Sequence, residues 1–341
     1  MICCHFWDGR PEACAGTGGA NFLRSARGTI CVMKLLALLA VLLIEQMRPL
    51  RQDNAVHAAF THGADYLRQQ FDAGQYRQGV MAWLAAVIPL TLLVFVAHWM
   101  LSSVSAVLAM MFSIGVLYVI VGFRKFSKYF NEINSLMRID EINGAREQLR
   151  LWRNEDCTDL NSSAIARLAI ELGLMSSHRN VFGPVAWFMV FGPAGALFYW
   201  LAALLHDQWR THLLPEAGHS DEFTGFAKKA FEIIDWLPAR LTAASFAIVG
   251  NFQDAVDCWR SQASLWADAS QGIILASGAG ALGVKLGSAL PDVGNEWYRP
   301  ELGTGDDADA DYLSSAVGLI WRALVMWMLL ISVVTLAHST G

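Results

Sequence analysis

The sequence predicts an all-α, polytopic helical membrane protein with a cytoplasmic helical insert. Three observations carry that prediction. Hydrophobic residues fill 55% of the 341 positions and charged residues only 16%, where an average soluble domain has about 25% charged. The mean hydropathy is +0.36. Several runs reach the roughly 20 apolar residues needed to cross a bilayer core. Thirteen tryptophans suit a chain with two membrane interfaces, where indole rings collect. A net charge of −5, a pI near 6.0 and the lack of a basic face argue against nucleic-acid binding. Membrane lipid is the expected partner, and the oligomeric state is left open.

Residues 1–32 are rich in glycine and hold Cys3, Cys4, Cys14 and Cys31, four of the six cysteines. They show no apolar period and read as an extension outside the fold, with Met33 as an alternative start. The rival reading is a signal peptide with Lys34 in its n-region, but no small-residue cleavage site precedes "EQMRPL". No CxxC pair points to a zinc or redox site. The membrane domain is placed at 33–341. Leu35–Ile44 is short for a span, so it reads as a short span or a half-inserted helix. Val80–Leu101 and Val104–Phe123 are spans joined by a tight turn at Ser102 and Ser103. Phe182–Leu205 carries no charge and reads as a third span. Pro238–Phe252 is short and interrupted by Arg240. Val317–His338 is the last span, with Arg322 able to snorkel from near its start.

Charge gives orientation. Arg48, Arg51, Arg68 and Arg77 precede the first pair of spans, and nine Lys or Arg residues lie between Arg124 and Arg179. Both basic segments are expected to be cytoplasmic, as in a bacterial inner-membrane protein with several passes. Within the 124–180 insert, Phe126, Phe130, Ile133, Met137 and Ile139 recur near helical spacing, with Gly144 expected to break the helix. A second helix is expected from the polar start at Asn161–Ser163. No strand alternation and no internal repeat stand out.

The common catalytic templates GxxxxGK[ST], GxSxG and HExxH are missing. "GTGGAN" at 16–21 has no strand before it. In "ASGAGALGVKLGS" at 276–288, Gly278, Gly280, Gly283 and Gly287 could admit a phosphate to backbone amides, with Lys285 adding charge. Close helix packing by small residues is the favoured account. His206 and Asp207 read as an interfacial loop, and Glu132, Asp140 and Glu141 as a solvated helix face. In "IIDWLPARLTA" at 233–243, Asp235 is expected to be a helix N-cap, with Pro238 in the first turn. Arg240 would then oppose the helix dipole, and either an anion or an acidic neighbour, Asp235 or Glu232, would relieve that conflict.

"DWLPARLTA" resembles the "N-W-I-P-A-R-L-T-A" signature of the CobD/CbiB family of cobalamin biosynthesis membrane proteins. "GAREQLRLWRNEDCTDL" at 144–160, "AIARLAIE" at 164–171, "FGPVAWFMVFGPAGALFYW" at 182–200, "GAGALGVKLG" at 278–287 and "YRPELG" at 298–303 resemble further family blocks in the same order. The resemblance implies a membrane enzyme that uses ATP and Mg²⁺ to join an aminopropanol (phosphate) unit to a propionate of adenosylcobyric acid, a corrinoid substrate. On that basis Glu171, Glu232 and Asp235 are assigned to metal or general-base roles. Arg240, Lys285, Gly280 and Gly283 are assigned to binding substrate anions. The chain departs from the family pattern at polar positions. His178 and Arg179 stand where the family has Glu-Asn, and Phe182 where it has Asp. Ala203 to His206 replace Asn-Thr-x-Asp, Phe231 and Glu232 replace Asp-Asp, and Asp235 replaces Asn. The chain also resembles AmpE, a membrane protein tied to β-lactamase regulation, through "LLIEQ" at 42–46 and the D-W-x-P-x-R-L pattern. That resemblance implies a non-enzymatic inner-membrane regulatory protein as the alternative.

Overall fold

The computed structural model describes residues 32–45, 55–71, 75–121, 123–153, 157, 159–211, 222–288 and 299–340. The expectations for residues 1–31 lie outside them. The described chain is mostly helical, in agreement with the predicted class. It runs through α1 (residues 32–45), α2 (Ala55–Phe71), α3 (Tyr76–Val104), α4 (Ala106–Ile120), α5 (Phe123–Arg138), α6 (Ile142–Arg153) and α7 (Ser162–Ser177). A π turn (His178–Phe182) leads into α8 (Gly183–Phe191) and α9 (Pro193–Thr211). Then come α10 (Glu222–Val249), α11 (Phe252–Gln262), α12 (Ala269–Leu282) and α13 (Ala310–Thr340). Two strands of two residues each, β1 (Val284–Lys285) and β2 (Asp306–Asp307), pair in parallel. They add a feature that the absence of sequence alternation gave no reason to expect.

Among the described residues, two helices are long and apolar enough to cross a membrane, Tyr76–Val104 and Ala310–Ala337. Each exposes large apolar side chains along its length, Leu93 and Trp99 at 65% on α3 and Val333 at 64% on α13. The predicted second span shortens to the 15 residues of α4, and the turn before it falls at Ser105. The uncharged run 182–205 does not form one span. Gly192, at φ +67°, ends α8 and Pro193 starts α9. The two helices fold back on each other: Trp187 meets Phe198 and Gly195 packs on the Trp187 carbonyl. The nine residues of α8 reach about 13 Å at 1.5 Å per residue, roughly half a bilayer core. Apolar composition alone cannot tell one span from a helical hairpin. The Gly-Pro pair, a C-terminal stop followed by an N-terminal start, is the local cause.

In the insert, the helix break falls at 139–141, where Asp140 takes φ +60°, and Gly144 lies inside α6. The second insert helix starts as expected: Asn161 caps α7 by accepting from the Ala164 amide at 2.8 Å. α10 differs most from its prediction. It begins at Glu222, so Asp235 is no N-cap and Pro238 lies in the interior. Pro238 has no N–H for the carbonyl of Ile234, four residues earlier. The indole N–H of Trp187 donates to that carbonyl instead, at 3.2 Å. A side chain from the α8–α9 hairpin thus satisfies the acceptor that the proline leaves open.

Candidate functional site

The polar centre is built at the π turn. The Gly183 amide bonds the carbonyl of His178, five residues back, and Pro184 next to it has no N–H to restore the α ladder. The wide turn carries His178 and Arg179 toward α9 and α10. His178 is fully buried, with Nε2 2.8 Å from Asp235 Oδ1 and Nδ1 2.9 Å from Thr242 Oγ1. The Tyr199 hydroxyl donates to the same Asp235 oxygen at 2.8 Å and lies 3.3 Å from His178 Nε2. Tyr199 stands so close to the turn because residue 183 is glycine: a Cβ there would overlap the Tyr199 ring and hydroxyl.

Arg179 forms the outer half of the centre. Its Nη1 donates to both oxygens of Asp207, at 2.6 and 2.8 Å, and its guanidinium lies over the Phe231 ring, 4.6 Å from the centroid. His206 Nδ1 lies 2.9 Å from the same carboxylate, and its ring packs on Phe231 at 5.0 Å. Asp207 keeps 58% of its side chain accessible and Arg179 only 14%, so the centre opens on the Asp207 side. Burial works against the charge of Asp235, but His178, Arg179 and the Tyr199 hydrogen bond outweigh it and hold the carboxyl down to about 2. Asp207 is also held down to about 2, burial again opposing and Arg179 and His206 prevailing. The Arg179 guanidinium is raised: burial opposes its charge, and Asp207, Tyr199 and Asp235 favour it.

Glu171 belongs to a second cluster. Its carboxylate is buried, accepts from the Gly287 amide at 2.7 Å and pairs with Arg299. Arg299 lies over Trp266. Gly287 has φ +76° and a Cβ there would overlap the Pro300 carbonyl oxygen, so the loop fits glycine alone. The carboxylate met by this glycine-rich loop is therefore the chain's own Glu171.

The other candidate residues are dispersed. Glu232 is exposed on α10. Arg240 is half-buried, donates to the Trp236 carbonyl at 2.9 Å and stacks on that indole at 4.1 Å. Both rivals for its charge, Asp235 and Glu232, are therefore displaced by its own helix. Lys285 pairs with Glu301 at 3.5 Å. Gly280 packs on α11, where a Cβ would come within 2.7 Å of Ala255 Cα, and Gly283 ends α12 at φ +68°. The small-residue packing account therefore holds for Gly280. His206 and Asp207, read from sequence as an interfacial loop, are part of the centre. Tyr199, Thr242 and Arg299 lie inside the family-like blocks at 182–200, 235–243 and 298–303, but nothing in the sequence gives any of them a site role.

A family model described as CobD/Cbib protein matches residues 34–320. The chain belongs to the CobD/CbiB family. It is 32% identical over 277 residues to the cobalamin biosynthesis protein CobD of Stutzerimonas stutzeri (strain A1501), covering 80% of this chain and 88% of that relative. It is also 32% identical over 248 residues to the protein of the same name from Chromobacterium violaceum, covering 71% and 77%. The probable cobalamin biosynthesis protein CobD of Methanothermobacter thermautotrophicus is 22% identical over 213 residues, covering 61% and 69%. No solved structure matches the chain. The AmpE-like reading finds no support in these comparisons.

In this CobD/CbiB chain, five of the positions that depart from the family pattern, His178, Arg179, His206, Phe231 and Asp235, come together in the polar centre. Its donors do not fit a bound Mg²⁺–ATP. Asp235 is held by His178 and Tyr199, Asp207 by Arg179 and His206, and Glu171 by Arg299 and the Gly287 amide. Among the described residues no group of three or more His, Cys, Asp or Glu side chains could hold a metal ion.

Proposed function

We propose that this chain acts in cobalamin biosynthesis, as a membrane-bound synthase that forms the amide between a propionate of adenosylcobyric acid and aminopropanol or its phosphate. The observation that carries the reading is the family match across residues 34–320, with relatives named for cobalamin biosynthesis aligned over most of their length. Helices α3 and α13, with their exposed apolar sides, anchor the chain as an inner-membrane protein.

The polar centre supplies charge and proton handling for that reaction. Amide formation breaks a C–O bond of the carboxyl group, whose oxygen must leave on an activating group such as a phosphoryl supplied by a co-substrate, and the amine sheds a proton as the C–N bond forms; a buried imidazole paired with a carboxylate is suited to hold that proton. His178 and Asp235 form such a pair, and Tyr199 and Thr242 fix its geometry. Arg179 places a permanent cation beside them, where an anionic substrate group gains most in a site with little water. Complementation of a bacterial strain lacking the synthase, scored by growth that depends on cobyric acid, tests the reading. Wild-type protein is expected to rescue growth, and Asp235→Asn at equal membrane abundance is expected to lose it. A wild-type protein that is present in the membrane and does not rescue would falsify the assignment.

A further inference from the structure

Arg167 lies on α7 one turn before Glu171. At that spacing helical side chains are neighbours, with Cβ atoms about 5–6 Å apart, and an arginine would ordinarily pair with the glutamate. Both Glu171 oxygens are already taken, one by the Gly287 amide and one by Arg299. Arg167 is half-buried, its Nε is enclosed, and no acceptor among the described residues meets it. Arg299 spends Nη2 on Glu171, and its own Nε is likewise enclosed and unanswered. The charges here do not cancel. Glu171 answers Arg299, Lys285 and Glu301 answer each other, and Arg167 is left over among the described residues. An unanswered buried donor is costly. Two of them beside one carboxylate point to an acceptor that the described chain does not supply.

The place is distinct from the polar centre. Arg167, Glu171, Leu174 and His178 follow at intervals of four, three and four, which is one face of a helix. Between the two ends, Leu174 packs on α12, where a Cβ at Gly278 would come within 2.6 Å of it. Eleven residues separate Arg167 from His178, about 16 Å at 1.5 Å per residue.

We infer that Arg167, with Arg299 beside it, holds a phosphate group at this second place. A guanidinium edge offers two parallel donors that match two oxygens of one phosphate. A phosphate also brings more charge and more acceptor oxygens than a carboxylate, enough for donors on both arginines. The inference rests on the synthase reading, in which the amine substrate and the activating co-substrate can each carry phosphate. It adds where that phosphate is held.

The test is equilibrium dialysis of the full-length protein in detergent against radiolabelled inorganic phosphate, with a chelator present. Wild type is expected to bind about one phosphate per chain with a Kd of about 1 mM or tighter. Arg167→Gln should weaken binding about tenfold or more. Arg167→Lys keeps the charge and loses the fork, so it should bind more weakly than wild type. Arg240→Gln removes a cation that its own helix already answers and should change nothing. Aminopropanol phosphate and inorganic pyrophosphate are then added separately as competitors, and the one that displaces the label identifies the source of the phosphate. In wild type, phosphate should also protect Arg167 from phenylglyoxal, read by peptide mass spectrometry, and leave Arg240 unprotected. That readout decides if Arg167→Gln does not fold. No binding by wild type, equal binding by Arg167→Gln, a label displaced by neither competitor, or loss of binding on Arg179→Gln instead overturns the inference. Growth rescue by a chain that binds no phosphate rejects this inference alone. Failed rescue with Arg167-dependent phosphate binding rejects the cobalamin reading alone.

Discussion

Gly183→Ala tests the geometry of the polar centre with one methyl group. In an open helical position, glycine to alanine stabilises by up to about 1 kcal/mol, because alanine is the better helix former. At residue 183 the new Cβ would overlap the ring and hydroxyl of Tyr199. That ring is fully buried and must retreat by roughly 1 Å to restore ordinary van der Waals contact. The retreat stretches the 2.8 Å bond to Asp235. Overpacking costs about 1–3 kcal/mol, and losing a hydrogen bond to a charged group about 1.5–3 kcal/mol. Net of helix propensity, the change is expected to cost about 3 kcal/mol, opposite in sign to the propensity effect. Denaturant unfolding in detergent micelles measures it. Gly115→Ala and Gly318→Ala are the controls, since a Cβ at either position meets nothing within 4 Å; both are expected to be neutral or stabilising. In a Tyr199→Leu background the cost of Gly183→Ala should fall by more than half. A Gly183→Ala protein as stable as wild type, or a cost unchanged by Tyr199→Leu, refutes the reasoning.

Three further outcomes are expected. Trp187→Phe keeps an aromatic ring but leaves the Ile234 carbonyl without its indole donor, and that lost hydrogen bond should cost about 1 kcal/mol in the same unfolding measurement; in a Pro238→Ala background, where the helix can satisfy that carbonyl itself, the cost should fall to the packing loss of the smaller ring. Glu171→Gln removes the charge opposite Arg299 and weakens the acceptor of the Gly287 amide; it should cost about 3 kcal/mol and speed hydrogen exchange at Gly287. Asp235 titrates near 2 in the folded chain against an ordinary 3.8. A lowered carboxyl stabilises the fold above its unfolded value and loses that contribution as pH falls through the folded one. Stability should therefore drop by about 2 kcal/mol between pH 5 and pH 2 on account of this group, and Asp235→Asn should show a correspondingly flatter acid profile.

How much of this was legible in the sequence depends on the range of the interaction. The helical class, α3, α13 and the Asn161 cap follow from composition and from contacts within a few residues. The α8–α9 hairpin was misread because an uncharged run satisfies the length criterion whether or not it turns. The Gly192-Pro193 pair is a local signal, and it is weak within a run of 24 uncharged residues. The polar centre could not be read at all as a constellation. His178 and Asp235 are 57 residues apart, Arg179 and Asp207 28, and Glu171 and Arg299 128. No spacing rule links positions on different helices. The nearest signal was that five of these residues, His178, Arg179, His206, Phe231 and Asp235, are ones at which the sequence departs from the pattern it resembles.

In residues 233–243 the structure gives Asp235 and Pro238 local roles other than those the sequence predicts. Pro238 and Asp235 suggested a helix start, since proline is most at home in a first turn. The chain instead keeps the helix intact and pairs the freed Ile234 carbonyl with Trp187. Asp235 follows Ile234 directly, so the hairpin contact that satisfies the proline defect also fixes α10 against the π turn where His178 waits. Thr242, seven residues and about two turns further on, completes the line on the same face of α10. Arg240 falls on another face and is spent on Trp236. The proline, far from ending a helix, sets the point at which α10 is joined to the hairpin, and Asp235, three residues before it, is thereby held where His178 and Tyr199 converge.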